Sequence, residues 1–389
     1  MEGMIMVIAT TMANNGIRFR DIWSTFLSSC YGAVSELYKS SGWRRARSRL
    51  FYWWCGGTYG VLHGQNVSRV VGWRYSVCEE GRNERPLTKA SLLAKTIFPP
   101  PLPNPHQADN QPQEVYPEPY PDPPPITTNQ VIAHLVKLSL YKAHGPDGIP
   151  NIVLKECTDL ITTPLTNIFK VIIDLNMYYD PWKEFTTITL RKPGKPNYET
   201  PKAYRPIALI LTMAKLLTAI IAEHLSNIVE HHQILPKNHF SIQPGRSTTD
   251  VIHYLISKIH KAWNQNKVVS ILFLDIEGAF PNAVTTCLIH NMKQQRIPTS
   301  IIIKFIQNLL TNRSTCIKFN NYVSEPITLE NGIGQGDPLS MILYILYNTD
   351  LLDLPVNNEE EDALSYVDDI HVALVTTGNN LYQTTQLNN

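Results

Sequence analysis

Aspartates stand at two points where the sequence predicts that strands end. Asp275 follows the apolar run 268–274, and Asp368 and Asp369 lie between the strand-like runs 364–367 and 370–374. A carboxylate at the end of a strand is placed where a sheet meets a cleft. Asp275 alone could equally begin a turn, and Asp368-Asp369 alone could be a polar hairpin tip. Brought together, the three would crowd like charges, a cost that a cation relieves.

Magnesium is the cation that such a group of carboxylates predicts. Mg²⁺ takes oxygen ligands from one or two carboxylates and keeps its other positions for water and phosphate oxygens. Two ions about 3.5–4 Å apart could activate an attacking hydroxyl and stabilise a leaving pyrophosphate. Because such chemistry depends on charge neutralisation, further cations are expected nearby. Lys192, Lys195 and Arg205 are candidates, with an ordinary surface loop as the alternative.

The elements that would position these residues alternate between helical and strand-like patterns. Apolar spacing predicts helices over 131–140, 207–229, 248–263 and 339–346, and around residues 288 and 302. Strands are predicted over 185–190 and, as a buried apolar strand, over 268–274, with hairpins over 316–327 and 364–374. Strands interleaved with long helices indicate a mixed helix-and-sheet architecture.

Composition excludes several classes of protein. A chain of 389 residues with 43% hydrophobic content can bury a core and, at roughly 150 residues each, hold two or three domains. The net charge of +1 neither supports nor excludes a nucleic-acid partner. Six scattered cysteines indicate neither a disulfide framework nor a zinc site. The apolar run 207–221 is too short to span a membrane, so a soluble intracellular protein is expected.

Three regions are predicted along the chain. Residues 1–85 form an uncharacterised segment with one helix pattern over 23–37 and an arginine-rich run at 44–49. That run could bind nucleic acid, act as a nuclear signal or be a solvated loop. Residues 86–125 are expected to be a proline-rich linker, because 12 of the 28 prolines lie between 98 and 125 and favour extended backbone. Residues 126–389 have a globular pattern.

The motifs in this third region resemble reverse transcriptases of the non-LTR, LINE type. Seven stretches occur in the family's order: GPDGIP at 145–150, LRKPGK at 190–195, YRPI at 204–207, PGRSTTD at 244–250, FLDIEGAF at 273–280, GQGDPLS at 334–340 and YVDD at 366–369. YVDD by itself is a weak signal. Seven motifs in order are a specific one.

The resemblance implies an α+β fold: the fingers and palm of a right-hand polymerase, with a small antiparallel palm sheet packed on helices. It implies an RNA-directed DNA polymerase that uses an RNA template, a DNA primer and deoxynucleotides. Asp275 and Asp368 would bind two Mg²⁺ ions, or Mn²⁺ in their place, with Asp369 beside them as the second acid of the turn. The compartment, nucleus or cytoplasm, stays open, as does the oligomeric state.

The resemblance also assigns residues to the incoming nucleotide. Lys192 and Arg205 match basic residues that contact the triphosphate, and Gln335 and Gly336 match a loop that packs against nucleotide and template. Phe280 lies five positions after Asp275, where the family has an aromatic ring that excludes a ribose 2′-hydroxyl; ordinary core packing is the alternative role. An RNA polymerase would be expected to carry a small or polar residue there.

The sequence departs from the family's pattern at three points. Ser241 and Ile242 follow Phe240 where a Phe-Gly-Phe-like run is usual, and Met341 replaces the usual proline after Leu-Ser. The family's thumb is expected to be absent, because the chain ends soon after YVDD. A catalytically silent retrotransposon remnant that at most binds nucleic acid is therefore the alternative to an active polymerase.

Overall fold

The computed structural model describes residues 86–100, 115–241, 245–319, 322–353 and 361–377. The helix pattern at 23–37 and the arginine-rich run at 44–49 lie outside the described residues. The chain divides into two compact units. In the described part, the first unit holds residues 127–142 and 149–168, and the second holds the rest.

The helices follow the apolar periodicity of the sequence over most of their length. Their bounds are α1 Pro86–Ile97, α2 Thr128–Lys137, α3 Asn151–Glu156, α4 Thr158–Asp174, α5 Thr212–His231, α6 Thr248–Asn264, α7 Thr285–Gln294, α8 Lys304–Leu310 and α9 Ser340–Asn348. A π-helical turn, Thr299–Ile303, precedes α8, and 3₁₀ turns occupy Asp180–Lys183, Pro201–Ala203 and Thr349–Asp353. The helices predicted over 248–263 and around 288 and 302 are confirmed.

In the first unit, α2 begins at a capping box. Thr127 and Gln130 each bond the other's backbone N–H through their side chains, which satisfies two donors that a helix start leaves unpaired. Val131 and Leu135, one turn apart, are fully buried. The helix ends at Lys137, not at residue 140 as predicted, because the backbone of Leu138 leaves the helical region with ψ 128°.

The second unit contains a five-stranded mixed sheet. Its strands are β1 Glu184–Arg191, β2 Tyr204–Leu209, β4 Arg313–Phe319, β5 Tyr322–Val323 and β6 Ile327–Leu329. β1 lies antiparallel to β2 and parallel to β4, and β5 and β6 both pair with β4. The prediction of a helix from residue 207 is therefore wrong at its start: residues 207–209 pair with β1, and α5 begins at Thr212.

A three-stranded antiparallel sheet carries the aspartates. The strands are β3 Lys267–Asp275, β7 Glu361–Tyr366 and β8 Asp369–Thr377, in the order β3-β8-β7. The prediction that 268–274 is a buried strand is wrong about burial. Within the described residues β3 pairs with β8 on one side only, and Phe273 is 63% exposed. Among the described residues β3 is an edge strand, and its Val268, Leu272, Phe273 and Leu274 are exposed.

The proline-rich residues 115–125 belong to the second unit and pack on its helical part. The Tyr120 ring stacks on the His232 ring with 3.6 Å between centroids. The Arg296 guanidinium lies over the Tyr120 ring, 4.4 Å from its centroid. The Tyr120 N–H donates to the Arg296 carbonyl at 2.8 Å. This extended segment is thus held by specific contacts.

Candidate active site

The three aspartates lie at one end of the three-stranded sheet. Asp275 ends β3 and stands directly opposite Asp369, the first residue of β8. Asp368 occupies the two-residue turn with Val367, because Tyr366 and Asp369 pair on either side of it. Residues directly opposite on antiparallel strands have Cβ atoms about 4.5–5.5 Å apart and point to the same face. The sheet register therefore sets Asp275 beside Asp369, and Asp368 follows in the adjoining turn.

Like charge accumulates at Asp368. Burial and then the charges of Asp369 and Asp275 raise the pKa of the Asp368 carboxyl above its usual value. A hydrogen bond from its own backbone N–H and the positive charge of Arg205 act in the opposite direction. Two of the five influences are thus the neighbouring carboxylates. A bound cation would remove this penalty.

The donor chemistry of this group fits a divalent cation. Carboxylate oxygens are the ligands that Mg²⁺ prefers. In the part of the chain that the structure describes, however, no three Asp, Glu, His or Cys side chains are grouped closely enough to hold a metal ion by themselves. Mg²⁺ is usually held by one or two carboxylates together with substrate phosphates. The aspartates therefore fit a Mg²⁺ ion only if it takes further oxygen ligands from outside this group.

Cationic side chains of the β1-β2 hairpin lie near this end of the small sheet. Arg205 on β2 is exposed and lies near enough to Asp368 to lower its pKa. Lys192 follows β1, and its charge helps to lower the pKa of Glu277, two residues after Asp275. Lys202 Nζ lies 2.6 Å from Glu277 Oε1 and is the first cause of that lowered pKa. The hairpin thus carries positive charge within electrostatic reach of Asp368 and Glu277.

Phe280 lies in the turn after β3 and stacks on an aromatic residue of α9. Its ring centroid is 4.9 Å from that of Tyr344, with 26° between the planes. Tyr344 is buried, and burial followed by the charge of Asp368 raises the pKa of its hydroxyl. Tyr344 therefore stacks on Phe280 and lies within electrostatic reach of Asp368. The Phe280 ring itself is partly exposed.

The loop that carries Gln335 and Gly336 is bound to β2. The Ala208 N–H donates to the Gln335 carbonyl at 2.7 Å. Gly336 has φ +117°, and a Cβ there would lie 2.9 Å from the Ala208 carbonyl oxygen. Glycine is thus required for a close approach to β2, on which Arg205 lies three residues before Ala208. The loop therefore packs directly against the hairpin that carries Arg205.

Two oppositely charged residues, Arg313 on β4 and Asp337 at the end of the loop, influence each other's ionisation here. Arg313, 5% exposed, donates from Nη2 to the carbonyls of Asn331 and Gly332 at 3.1 and 2.7 Å. Burial lowers the pKa of Arg313 to about 10, and the negative charge of Asp337 opposes that shift. Burial raises the pKa of Asp337, which also accepts the Leu339 N–H at 2.8 Å. Asp337 also accepts a hydrogen bond from Thr218 of α5, so both ends of the loop contact other elements.

Several residues of this region carried no clear sequence signal. Lys202 and Glu277 form their ion pair across two segments, and Arg313 reaches the loop from β4. Asp337 lies inside the GQGDPLS motif, which was the one available indication. Charged residues pair across the sheet in ways that spacing along the chain does not reveal.

A helix-and-sheet fold with three carboxylates at one sheet end, cations on a neighbouring hairpin and a glycine loop beside them is typical of enzymes that act on phosphate-bearing substrates. Among the helices described, none is both long enough and apolar enough to traverse a bilayer.

Comparison with known proteins defines the family. The family profile described as "Reverse transcriptase (RNA-dependent DNA polymerase)" matches residues 190–386, just over half of the chain. The chain therefore belongs to the reverse transcriptase family, and the resemblance found in the sequence motifs is confirmed. The match includes every residue assigned above to metal or nucleotide.

Three of the curated relatives come from transposable elements of Drosophila melanogaster. The chain is 28% identical over 227 residues to "Probable RNA-directed DNA polymerase from transposon BS", covering 58% of this chain and 25% of the relative. It is 29% identical over 249 residues to the corresponding protein of transposon X-element, and 26% identical over 251 residues to that of mobile element jockey. Those two alignments each cover 64% of this chain and 27% of the relative. The chain thus spans about a quarter of the length of these relatives.

A solved structure of apo telomerase from Candida tropicalis aligns with 60% of this chain and 58% of its own chain, at 11% identity and a TM-score of 0.38. That similarity is too low to support a structural comparison.

Proposed function

We propose that this chain is the polymerase part of an RNA-directed DNA polymerase and adds deoxynucleotides to a DNA primer on an RNA template. The observation that carries the proposal is the register that sets Asp275 opposite Asp369, with Asp368 in the adjoining turn and Arg205 within electrostatic reach. Residues 126–389 would form fingers and palm, residues 86–125 a connecting segment, and residues 1–85 have no assigned role.

Each residue has a distinct task in this proposal. Asp275 and Asp368 would hold two Mg²⁺ ions, with Mn²⁺ as a substitute, and Asp369 adds the third carboxylate. The ions, when bound, would supply charge neutralisation for the triphosphate and activation of the primer hydroxyl. Lys192 and Arg205 would bind phosphate oxygens, which orients the α-phosphorus toward the primer end. Gln335 and Gly336 would pack against the nucleotide and template.

Primer extension on a primed RNA template with Mg²⁺ and deoxynucleotides tests the proposal. The matched control is the Asp368→Asn/Asp369→Asn double variant, which keeps side-chain size and removes both charges. We expect incorporation by the wild-type chain and a loss of at least about 100-fold in the variant. Equal incorporation by both proteins would refute the assignment. No incorporation together with salt-sensitive RNA binding would instead identify a silent nucleic-acid-binding remnant.

Selection of deoxynucleotides is proposed for Phe280, supported by its stack on Tyr344 beside the aspartates. A ring held there would collide with a 2′-hydroxyl, the group that distinguishes RNA precursors. Phe280→Ala should raise the kcat/KM for ribonucleotides relative to deoxynucleotides by about tenfold or more. Tyr344→Phe keeps the supporting ring and should leave the ratio unchanged. An unchanged ratio in Phe280→Ala would leave Phe280 with a packing role alone.

A further inference from the structure

The residue just before Asp368 has an unusual backbone conformation. Val367 has φ +60°, in the left-handed region. The other non-glycine residues with positive φ in the described part of the chain are asparagine, glutamine or arginine. A β-branched residue is disfavoured there, because its Cβ substituents crowd the neighbouring peptide. Such strain persists when the surrounding structure holds it, and it concentrates at functional sites.

Two buried side chains hold the peptide groups on either side of Val367. The Val367 N–H donates to Ser241 Oγ at 2.6 Å, and Asn348 Nδ2 donates to the Val367 carbonyl at 2.6 Å. Ser241 is 1% exposed and Asn348 is 4% exposed. Fixing the N–H restrains rotation about φ, and fixing the carbonyl restrains rotation about ψ. The Val367 carbonyl carbon is bonded to the Asp368 nitrogen, so both contacts also restrain Asp368.

Ser241 is itself rigidly placed. The segment before it runs alongside β7, where the Ser365 N–H donates to the Asn238 carbonyl and the Phe240 N–H donates to the Ser365 carbonyl, at 3.2 and 3.0 Å. Phe240 packs in a buried cluster with Val251 of α6 and Leu364 of β7. Ser241 is also one of the positions where the sequence departs from the Phe-Gly-Phe-like run. A glycine there would offer no hydroxyl to the Val367 N–H.

Asn348 reaches Val367 from a different element. It is the last residue of α9, the helix that also carries Tyr344 under Phe280. The turn before Asp368 is therefore held from two sides, by the segment that leads to α6 and by the end of α9.

We propose that Ser241 and Asn348 are positioning residues, which hold Val367 in its left-handed conformation and thereby aim the Asp368 carboxylate. The effect of these residues on catalysis rests on the proposed polymerase function. Their effect on the Val367 conformation does not. Loss of either contact leaves the backbone free to relax toward ordinary φ values and turns Asp368 away from Asp275. The effect should fall on metal binding and leave the binding of nucleotide nearly unchanged.

The test uses the full 389-residue chain with Ser241→Ala and with Asn348→Leu, a substitution that keeps side-chain size and removes the donor. The first readout is Mn²⁺ affinity by electron paramagnetic resonance, measured with a deoxynucleoside triphosphate present to supply the ion's remaining oxygen ligands. The second is the Mg²⁺ dependence of primer extension. We expect the Mn²⁺ Kd and the half-saturating Mg²⁺ concentration to rise about tenfold in each variant. The KM for deoxynucleotide at saturating Mg²⁺ should change less than twofold.

The Val367→Asn protein tests whether Ser241 and Asn348 act by restraining the backbone, because asparagine adopts positive φ more readily than valine. If the two side chains act by holding that conformation, Ser241→Ala should raise the Mn²⁺ Kd by less than twofold in the Val367→Asn protein. An undiminished tenfold effect there would overturn the mechanism. Thermal unfolding identifies any variant that fails to fold. Because Ser241 and Asn348 lie on different elements, the test can proceed with one variant if the other does not fold.

Asp368→Asn separates failure of the inference from failure of the proposed function. If Asp368→Asn weakens Mn²⁺ binding and the Ser241 and Asn348 variants do not, the positioning role of Ser241 and Asn348 is refuted. The proposed metal site is then retained. If Asp368→Asn leaves Mn²⁺ affinity unchanged, the proposed metal site is wrong. Amide hydrogen exchange at Val367 then decides the conformational part: faster exchange in Ser241→Ala supports it, and unchanged exchange overturns it.

Discussion

At the scale of single residues, Arg205 is the cationic side chain that affects the pKa of Asp368. Burial first, and then Asp369 and Asp275, raise the pKa of Asp368, whereas Arg205 lowers it. A carboxylate must be deprotonated to bind a cation, so activity should fall as the pH drops through this raised pKa.

Replacing Arg205 should therefore move the acid limb of the pH profile. Arg205→Ala removes a charge that favours the ionised form of Asp368, so its pKa rises further and activity begins to fall at a higher pH. The measurement is kcat for primer extension against pH. Lys195→Ala, an exposed cation of the neighbouring loop, is the control and should leave the limb in place. A limb that stays fixed in Arg205→Ala would contradict the electrostatic assignment.

Two glycines of one loop give a matched pair of substitutions. Gly336 has positive φ and its Cβ would lie 2.9 Å from a backbone oxygen of Ala208, whereas the Cβ of Gly334 would lie at an ordinary 3.8 Å from the Ala208 side chain. Gly336→Ala should lower the free energy of unfolding by about 1–3 kcal/mol and raise the KM for deoxynucleotide. Gly334→Ala should do neither. Urea unfolding and steady-state kinetics on both variants provide the check, and equal behaviour would argue against the close approach.

At the scale of elements, the segment Asn238–Ser241 places a fully buried histidine beside β7. Burial first, and the charge of Arg246 second, lower the pKa of His239 from 6.5 to about 4. Its Nδ1 accepts the Ser241 N–H at 3.4 Å. The folded state therefore favours the neutral ring, which belongs to the same segment that reaches Val367.

Acid should therefore destabilise the fold through His239. The folded pKa lies below the unfolded one, so the unfolded chain binds more protons between about pH 6.5 and pH 4, and stability falls as pH falls through that window. This group should contribute a loss of about 3 kcal/mol. His239→Gln should flatten the dependence of unfolding free energy on pH, and His253→Gln, at an exposed position, should not. The same slope in wild type and His239→Gln would exclude this role.

The elements also show where sequence patterns were sufficient and where they failed. The helix over 248–263 was predictable, because its period and its Ser247 start are local properties. The strand at 204–209 was missed, because its apolar residues run without interruption into α5 and its pairing with β1 is decided elsewhere in the chain. The burial of β3 was predicted wrongly for a related reason. An apolar run predicts that a strand forms, but it does not specify which other elements pack against that strand.

At the scale of the whole molecule, β3 exposes an apolar edge. Val268, Leu272 and Phe273 are 51%, 38% and 63% exposed on a strand that pairs on one side within the described residues. Unpaired backbone groups beside apolar side chains favour edge-to-edge association. The 389-residue chain should therefore self-associate through this strand.

Leu272→Lys should raise the protein concentration at which light scattering begins, because a charge on an edge strand opposes pairing with a second copy. Val136→Lys replaces another exposed apolar residue, which lies on α2 and not on a strand, and should have little effect. If both substitutions improve solubility equally, general surface hydrophobicity and not the strand edge governs association.

The sequence by itself determined the family of this protein and its candidate site residues: aspartates at strand ends, Phe280 five residues after Asp275, and seven motifs in the order of the reverse transcriptase family. These are local properties, set by residue type and by the periods of helix and strand. The tertiary structure alone decided which residues meet. It set Asp275 opposite Asp369, brought Arg205 near Asp368, and joined Ser241 to Val367 across 126 positions of the chain. Such contacts follow from strand register and long-range packing, which no local pattern specifies.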